Sequence, residues 1–312
     1  MINFRYHVVS LIAVFLALAV GVVMGYGVLG QPTVDTLQRR VDTVEARANE
    51  IRAENDALRA EQARLEDSIA AAGEFAVTGR LAGLTMQPLV ARGVDPDRVT
   101  STVRLARQAG AVVPGVLWLE PKWNLGSPDD VAELAALVGV SSTSRSTVRD
   151  AGLKALATRL ADGPTPGNRT DLLVGLADGG FVEAEGVDGV AYDAASATTR
   201  VASAWVVGGT ASEVGWARVL VPLTRDLVAA GVGVLAADVF TETPDGPTRG
   251  QDLGAIVRDP VLGAKVTTVD DLDRVDGGLA VVLGFAERGR GTIGHYGSGE
   301  GATALLPAWW AV

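Results

Sequence analysis

Residues that could bind a small ligand or a metal ion are few in this chain, and most lie in one glycine-rich segment near the C-terminus. Residues 291–301 read GTIGHYGSGEG. Dense glycine lets a backbone turn sharply or approach a ligand closely, and the imidazole of His295 and the phenol of Tyr296 could then contact it. We expect Gly294, His295, Tyr296 and Gly297 to form either a packed structural or partner-binding loop or a small-ligand or metal site.

A second group of candidate residues is acidic. Asp270, Asp271, Asp273 and Asp276 follow one another closely, but their spacing does not fit a calcium-binding loop. We therefore predict that they cap backbone groups and face solvent. The sequence contains no HExxH, GxSxG or P-loop pattern, each of which would indicate a particular catalytic site. We expect a protein that is not an enzyme.

The segment GVVMGYGVLG, residues 21–30, matches two unrelated patterns. Gly25, Gly27 and Gly30 spell the dinucleotide-binding GxGxxG, whereas Gly21 and Gly25 spell the GxxxG of packed membrane helices. A dinucleotide fingerprint requires a strand before it and a helix after it. The preceding residues are apolar and uncharged over a helical length, so the sequence favours GxxxG.

This apolar segment is long enough to cross a membrane. Residues 8–29 carry no charge, and Ser10 is the most polar among them; about 18 such residues suffice for a membrane helix. A signal peptide would turn polar after its cleavage site, but the chain continues apolar past Ala17-Leu18-Ala19. We predict an uncleaved signal anchor at residues 1–30, with the bulk of the chain on the extracytoplasmic side.

After the anchor, apolar residues recur with the three-four spacing of a heptad repeat, which predicts a coiled coil over residues 31–75. The a positions are Val34, Val41, Ala48, Asn55, Gln62 and Ile69, and the d positions are Leu37, Val44, Ile51, Leu58, Leu65 and Ala72.

The partner of this predicted coiled coil is open. Asn55 at an a position favours an in-register parallel dimer, because a buried Asn is best satisfied by a second Asn. The charges at positions e and g include attractive and repulsive pairs. We interpret the segment first as a homodimer, with a heteromeric coiled coil and a lone helix as alternatives. The residues predicted to make the contact are Gly21, Gly25, Leu37, Val41, Val44, Ile51, Asn55, Leu58 and Leu65.

Residues 76–312 alternate short apolar runs with helical patterns. This alternation predicts an α/β fold, with an open, mostly parallel, Rossmann-like sheet and helices on both faces. Strands are expected at residues 81–90, 111–119, 201–208 and 232–239, and helices at residues 97–109, 147–161, 212–230 and 277–288. Ser127 and Pro128 should begin a further helix, as N-cap and first residue.

Composition excludes several classes of function. The net charge of -10 argues against a nucleic-acid-binding protein, because phosphate binding needs a clustered basic surface. The chain has no Cys, three Met and two His. Disulfides, thiolate catalysis and Cys-based metal sites are therefore ruled out. We predict no cofactor from the residues alone.

Three short segments, taken together with the anchor and the heptads, resemble the actinobacterial MctB family, also called SteB. They are NFRYHVVSL at residues 3–11, GHYG at residues 294–297 and LLP at residues 305–307. The resemblance spans essentially the whole chain. It implies an envelope protein, described either as part of copper efflux through an outer-membrane pore or as the partner of the membrane protein SteA in controlling cell-wall hydrolysis.

The residues favour the second description. Copper sites usually employ Cys, Met or His, which are few here and not clustered, and a membrane barrel needs many alternating segments. We interpret the chain as a single-pass inner-membrane adaptor, homodimeric, with a SteA-like partner by resemblance. A copper transport or efflux component or pore subunit, placed in the outer membrane, is the alternative, and copper enters only through the resemblance. A small-ligand-binding α/β domain is a second alternative.

Overall fold

The computed structural model describes residues 4–28, 31–164, 171–244 and 246–308, including their side chains except at residues 28 and 31–33. The chain divides into two compact units, Met1–Glu66 and Asp67–Val312. Gly30, one of the glycines of the GxGxxG pattern, lies outside the described residues.

Two helices account for the N-terminal quarter of the chain. Helix α1 spans Phe4–Val28 and helix α2 spans Gln31–Val77. The predicted apolar helix followed by a long helix is thus confirmed. Because Gly21, Gly25 and Gly27 lie within α1, no strand precedes them among the residues described from Phe4 onwards. The described part of the pattern therefore lacks the strand-turn-helix context of a dinucleotide site.

The second unit is built on one seven-stranded sheet, and its strands run in the order β3-β2-β1-β4-β5-β6-β7. The strands are β1 Met86–Ala91, β2 Val116–Leu119, β3 Val182–Glu185, β4 Ser203–Gly209, β5 Gly233–Val239, β6 Val266–Val269 and β7 His295–Tyr296. Neighbouring strands pair in parallel, except β3, which is antiparallel to β2. The prediction of an α/β, mostly parallel sheet is confirmed.

Helices pack against this sheet from both sides. They are α3 Pro96–Gln108, α4 Pro128–Val138, α5 Arg145–Asp162, α6 Leu172–Asp178, α7 Val221–Ala229, α8 Gly254–Val257 and α9 Gly277–Arg288. A 3₁₀ turn, Pro121–Asn124, follows β2, and a π-helical turn, Trp216–Leu220, precedes α7. Helices α3 and α9 pack together, while α5 packs against α4, α6 and α7.

The alternation of side chains along the strands explains why helices pack on both faces of the sheet. Gly284 of α9 lies against Leu235 of β5, which pairs with Trp205 of β4. Gly208, three residues along β4, points to the opposite face because strand side chains alternate, and there it meets Trp216 at the start of the α7 region.

Local sequence signals set the helix starts that were predicted. Ser127 and Asp130 form a capping box at α4, and Pro128 is the first helical residue. In this arrangement the Ser127 side chain accepts from the Asp130 amide and the Asp130 carboxylate accepts from the Ser127 amide. The helix predicted at residues 277–288 is α9, with the same bounds.

Several predicted boundaries are wrong, and tertiary contacts explain the differences. The strand predicted at residues 81–90 begins only at Met86, because residues 78–83 form turns in which Leu81 donates to the Ala109 carbonyl. The strand predicted at 111–119 is regular only over Val116–Leu119. The helix predicted from residue 212 begins at Trp216, since Ser212 closes a turn on Gly209. Strands β3, β6 and β7 and helices α6 and α8 were not predicted.

Candidate functional site

The C-terminal glycine-rich segment forms the short edge strand β7 on β6. His295 pairs with Thr268 and Tyr296 with Val269. Tyr296 is buried, and its hydroxyl donates to the buried carboxylate of Glu287 in α9. Burial and this carboxylate raise the pKa of Tyr296 well above its ordinary value. The phenol is therefore a packed hydrogen-bond donor.

Gly294 makes room for that phenol. A Cβ at this position would lie 2.0 Å from the Tyr296 hydroxyl oxygen, closer than any side chain can be. The glycine thus serves the packing of Tyr296 against α9. A role of residues 294–297 as a ligand or partner loop remains a prediction.

His295 is held by its backbone and by its ring. Its carbonyl accepts from the Thr303 amide at 2.7 Å and from the Thr303 hydroxyl at 3.0 Å, while its Nδ1 lies 2.9 Å from Thr268 Oγ1. Burial lowers its pKa below the ordinary value. The neutral imidazole is favoured, with Nδ1 already engaged.

The next residues close over Asp270 at the carboxyl end of β6. Asp270 Oδ1 accepts from the backbone amides of Ser298 and Gly299, at 3.0 and 3.1 Å. Gly297 adopts a φ of 125°, and a Cβ there would lie 2.1 Å from the same oxygen. Burial raises the pKa of Asp270 to about 6, although the Gly299 amide opposes the shift.

The acidic cluster predicted to face solvent is instead largely buried. Asp270 and Asp271 are 4% and 3% exposed. Arg249 Nη1 donates to Asp271 Oδ1 at 2.8 Å and to Asp273 Oδ1 at 2.6 Å, and Nη2 donates to Asp273 Oδ2 at 2.8 Å. The Arg249 guanidinium also lies over the ring of Phe240, 4.5 Å from its centroid. The prediction of solvent exposure was wrong because this cation lies more than twenty residues away in sequence. The prediction of capping is confirmed, since Asp270 and Asp273 accept from backbone amides.

A further acidic residue, Asp238, gave no sequence signal. It is the sixth residue of β5 and is 1% exposed. Its Oδ1 accepts from the indole Nε1 of Trp216 at 3.0 Å. Burial raises the pKa of Asp238 to about 7, and nearby aspartates add to the shift. Asp238 and the Asp270 cluster thus lie at the carboxyl ends of neighbouring strands.

The usual ligand crevice of such a sheet is filled by the chain itself. Ligands of open α/β sheets bind where the strand order reverses, which here lies between β1 and β4. At that point the Arg92 carbonyl accepts from the Glu213 amide at 2.8 Å. A Cβ on Gly93 would lie 2.5 Å from the Ala211 carbonyl oxygen. The loop after β4 therefore closes the crevice.

An open cavity lies elsewhere in the second unit, between the last turns of α2 and helices α3 and α9. We call it the α2–α3–α9 groove; its volume is about 280 Å³. Its lining is mainly apolar, with charged residues among the rest. The lining residues are Ile69, Ala70, Gly73, Glu74, Arg98, Ser101, Thr102, Leu105, Leu272, Arg274, Val275, Gly278 and Leu279. Three separate segments build it, so no single sequence motif predicted it.

The predicted contact residues of the two long helices are all available for packing. Seven large apolar side chains at heptad positions are between 48% and 64% exposed, namely Val34, Leu37, Val41, Val44, Ile51, Leu58 and Leu65, and Ile69 is 39% exposed. A Cβ added at Gly21 or at Gly25 meets no atom within 4 Å. Within the described part of the chain, the heptad side of α2 and the glycine side of α1 are therefore open to a second helix.

Comparisons with known proteins agree on one family. A family model described as "Copper transport outer membrane protein, MctB" matches residues 1–307. The chain belongs to the MctB family. Copper transporter MctB of Mycobacterium tuberculosis (strain ATCC 25618 / H37Rv) is 26% identical over 331 residues, which cover 98% of this chain and 99% of that protein. Copper transporter MctB of Mycobacterium leprae (strain TN) is 29% identical over 332 residues, with the same coverage.

In this MctB-family chain, the match to the family covers both units, and the resemblance noted from residues 3–11, 294–297 and 305–307 is confirmed. Among the described residues, one helix, Phe4–Gly27, is long and apolar enough to cross a membrane. It is compatible with a single-pass anchor, and the family description places MctB proteins in the envelope.

Residues that could contact copper are dispersed in this MctB-family chain. Met86 is fully buried in β1, whereas Met24 is exposed on α1. His7 lies in α1 and His295 in β7. Within the residues that the structure describes, no group of three or more His, Cys, Asp or Glu side chains could hold a metal ion.

Proposed function

We propose that this MctB-family protein is a non-enzymatic adaptor of the cell envelope. In this proposal α1 is a signal anchor in the inner membrane, α2 forms a coiled coil, and the Rossmann-like unit binds a partner on the extracytoplasmic side that controls cell-wall processes. A SteA-like membrane protein is the partner suggested by resemblance. The protein acts by holding others in place.

One observation carries the proposal, namely the exposed apolar stripe of α2. A 47-residue helix that leaves Leu37, Ile51 and Leu58 more than half exposed loses the free energy that burial would supply, about 25 cal/mol per Å² of apolar surface. Such a stripe is typical of a helix that packs against another helix. Two copies of α2, in parallel and in register, would also pair Asn55 with Asn55.

Cysteine cross-linking tests the homodimer directly, because the chain contains no Cys. Ala48→Cys lies at an a position, and Ala53→Cys is the matched control at an f position on the opposite face. In native membranes we expect a disulfide-linked dimer for Ala48→Cys and none for Ala53→Cys. If neither variant gives a homodimer, the second helix belongs to another protein or the helix is unpaired.

Topology is tested with the same control variant. A membrane-impermeant maleimide added to intact cells should label Ala53→Cys if the long helix is extracytoplasmic. Labelling only after the cells are lysed would place this segment in the cytoplasm and contradict the adaptor arrangement.

A copper transport component is the second candidate, because the family description and the names of both mycobacterial relatives state copper transport. Copper would be the transported substrate. The purified full chain, reconstituted in vesicles, separates the candidates: an adaptor gives no copper uptake or conductance above that of empty vesicles. Uptake that depends on the protein would overturn the adaptor proposal and support a transporter or pore subunit.

A further inference from the structure

We infer that the α2–α3–α9 groove receives the last turns of α2 from a second copy of this chain, with Phe75 of that copy as its anchoring side chain. The inference rests on the proposed homodimer. It adds a second contact, which the second unit makes with the other copy.

One wall of the groove and the side chain that would fill it belong to the same helical segment, the last turns of α2. Gly73 and Val77 are buried, and Gly73 lies 3.8 Å, measured from an added Cβ, from Leu279 of α9. Phe75, between them, is 88% exposed. A surface that presents both an open apolar groove and an exposed aromatic side chain is self-complementary, as a twofold interface requires. Each copy would give one Phe75 and receive one.

The heptad register places the two features on matching sides. Ile69 and Ala72 are the last a and d positions, which makes Gly73 an e position and Phe75 a g position. In a parallel dimer the g side of one helix faces the e side of the other. The groove opens beside Gly73 and reaches Leu105. Phe75 of the second copy would therefore approach on the side of α2 where Gly73 lines the groove.

Charge also favours this occupant. Residues 67–79 carry two acids, Asp67 and Glu74, and no basic residue, whereas the groove is lined by two cations, Arg98 and Arg274, and one acid, Glu74. Arg274 lies near Asp271 and Asp276. Arg98 forms no ion pair or side-chain hydrogen bond with the described residues, so its charge is available. Arg98 therefore attracts an acidic helix and would repel a basic one.

The inference is tested with two differently tagged full-length copies expressed together. One carries Phe75→Cys, the other Leu105→Cys, and membranes are treated with a short bismaleimide. We expect an adduct that carries both tags. The control pairs Phe75→Cys with Val261→Cys, which is 57% exposed and precedes the amino end of β6, whereas Leu272 and Val275 of the groove follow its carboxyl end. This control pair should give no adduct.

The failure of this inference differs from the failure of the homodimer. A dimer through Ala48→Cys, with no adduct between Phe75→Cys and Leu105→Cys and a dimer fraction that Phe75→Ala leaves unchanged, would overturn the occupant and leave the coiled coil intact. Loss of the Ala48→Cys dimer as well would overturn both. An adduct of Leu105→Cys with a different protein, and none with Phe75→Cys, would also overturn the second copy as occupant.

A pair of substitutions at the anchor gives a second measurement. Phe75→Ala should lower the dimer fraction of the full chain in detergent several-fold, and Phe75→Leu should keep most of it. Because Phe75 is exposed, neither change should lower the thermal stability of the second unit. A dimer fraction that is unchanged in Phe75→Ala would contradict the anchoring role.

Discussion

Arg249 and Asp271 join two loops at the carboxyl end of the sheet, with Arg249 Nη1 donating to Asp271 Oδ1 over 2.8 Å. Arg249 follows β5 and Asp271 follows β6. The side chain of Asp271 is 4% exposed. The side chain of Asp273, which accepts hydrogen bonds from both guanidinium nitrogens of Arg249, is 23% exposed. A paired charge of this kind is stable only while its partner is present.

Replacing Arg249 should therefore destabilise the second unit strongly. Arg249→Ala leaves the buried Asp271 with only the more exposed Arg274, 4.0 Å away, as a cation, and breaking such buried pairs costs about 3 to 5 kcal/mol. Arg249→Lys should recover only part of the lost stability, because it restores the positive charge but not the planar guanidinium that donates to two carboxylates. Urea unfolding of the purified full chain, followed by tryptophan fluorescence, measures the difference.

Arg258→Ala provides the matched control for this prediction. Arg258 forms an ion pair with Glu300 at 3.4 Å, but their side chains are 64% and 70% exposed. Solvent screens such pairs, so the unfolding midpoint should barely move. Equal effects of Arg249→Ala and Arg258→Ala would contradict a special role for the buried pair.

Asp238 should make stability fall as pH rises from about 4 to about 7. Its folded-state pKa is about 7, whereas an unfolded aspartate titrates near ~3.9. Between these values the folded chain holds a proton that the unfolded chain has released. The contribution is fully present below about pH 4 and is lost as pH rises towards about 7.

Asp238→Asn should flatten this pH dependence. The amide oxygen can still accept from Trp216 Nε1, but the residue no longer ionises. Thermal unfolding of wild type and variant at pH 5 and pH 8 gives the comparison, with Asp178→Asn, at the exposed last residue of α6, as control. A variant whose stability difference between the two pH values matches that of wild type would show that Asp238 does not carry the effect.

Gly297→Ala should loosen the C-terminal segment. A side chain at φ 125° is strained, and its Cβ would lie 2.1 Å from Asp270 Oδ1; strain of this kind costs about 1 to 3 kcal/mol before the clash is counted. The Ser298 and Gly299 amides donate hydrogen bonds to Asp270, and their hydrogen exchange should become faster.

Gly291→Ala separates strain from clash. Gly291 has a φ of 88°, but an added Cβ meets no atom within 4 Å. Its substitution should leave the exchange of the Ser298 and Gly299 amides close to that of wild type. If both variants loosen these amides equally, the contact with Asp270 is not what requires glycine at residue 297.

Sequence patterns predicted the elements whose signals are local. Helix α9 was predicted with its full bounds because a run of apolar residues lies between Asp276 and Gly289, and α4 because Ser127 and Pro128 mark its start. Strand β3, read as VEAE, was missed since it is four residues long with two acids. The hydrogen-bond partners of those acids lie outside β3: Arg92, after β1, donates to Glu183, and Trp118 of β2 donates to Glu185.

The candidate sites could be predicted only in part for the same reason. The segment around His295 and Tyr296 was identified from its glycines, but not its attachment to Glu287 and Thr268 on other elements. The acidic cluster was visible in sequence, whereas the cation that allows its burial lies on a different loop. Long-range partners of this kind leave no spacing pattern in the chain.

Asn55 provides the test of register in α2. If Asn55 lies in the seam of a parallel dimer, Asn55→Ile should make the association tighter and less specific, because a polar residue at a fixes register and oligomer number at the expense of stability. Light scattering of the purified full chain in detergent should then show dimers that persist at lower protein concentration, together with larger species. Ala53→Ile, at an f position on the same two turns, should leave the distribution unchanged. An unchanged oligomer distribution for Asn55→Ile would place Asn55 outside the seam.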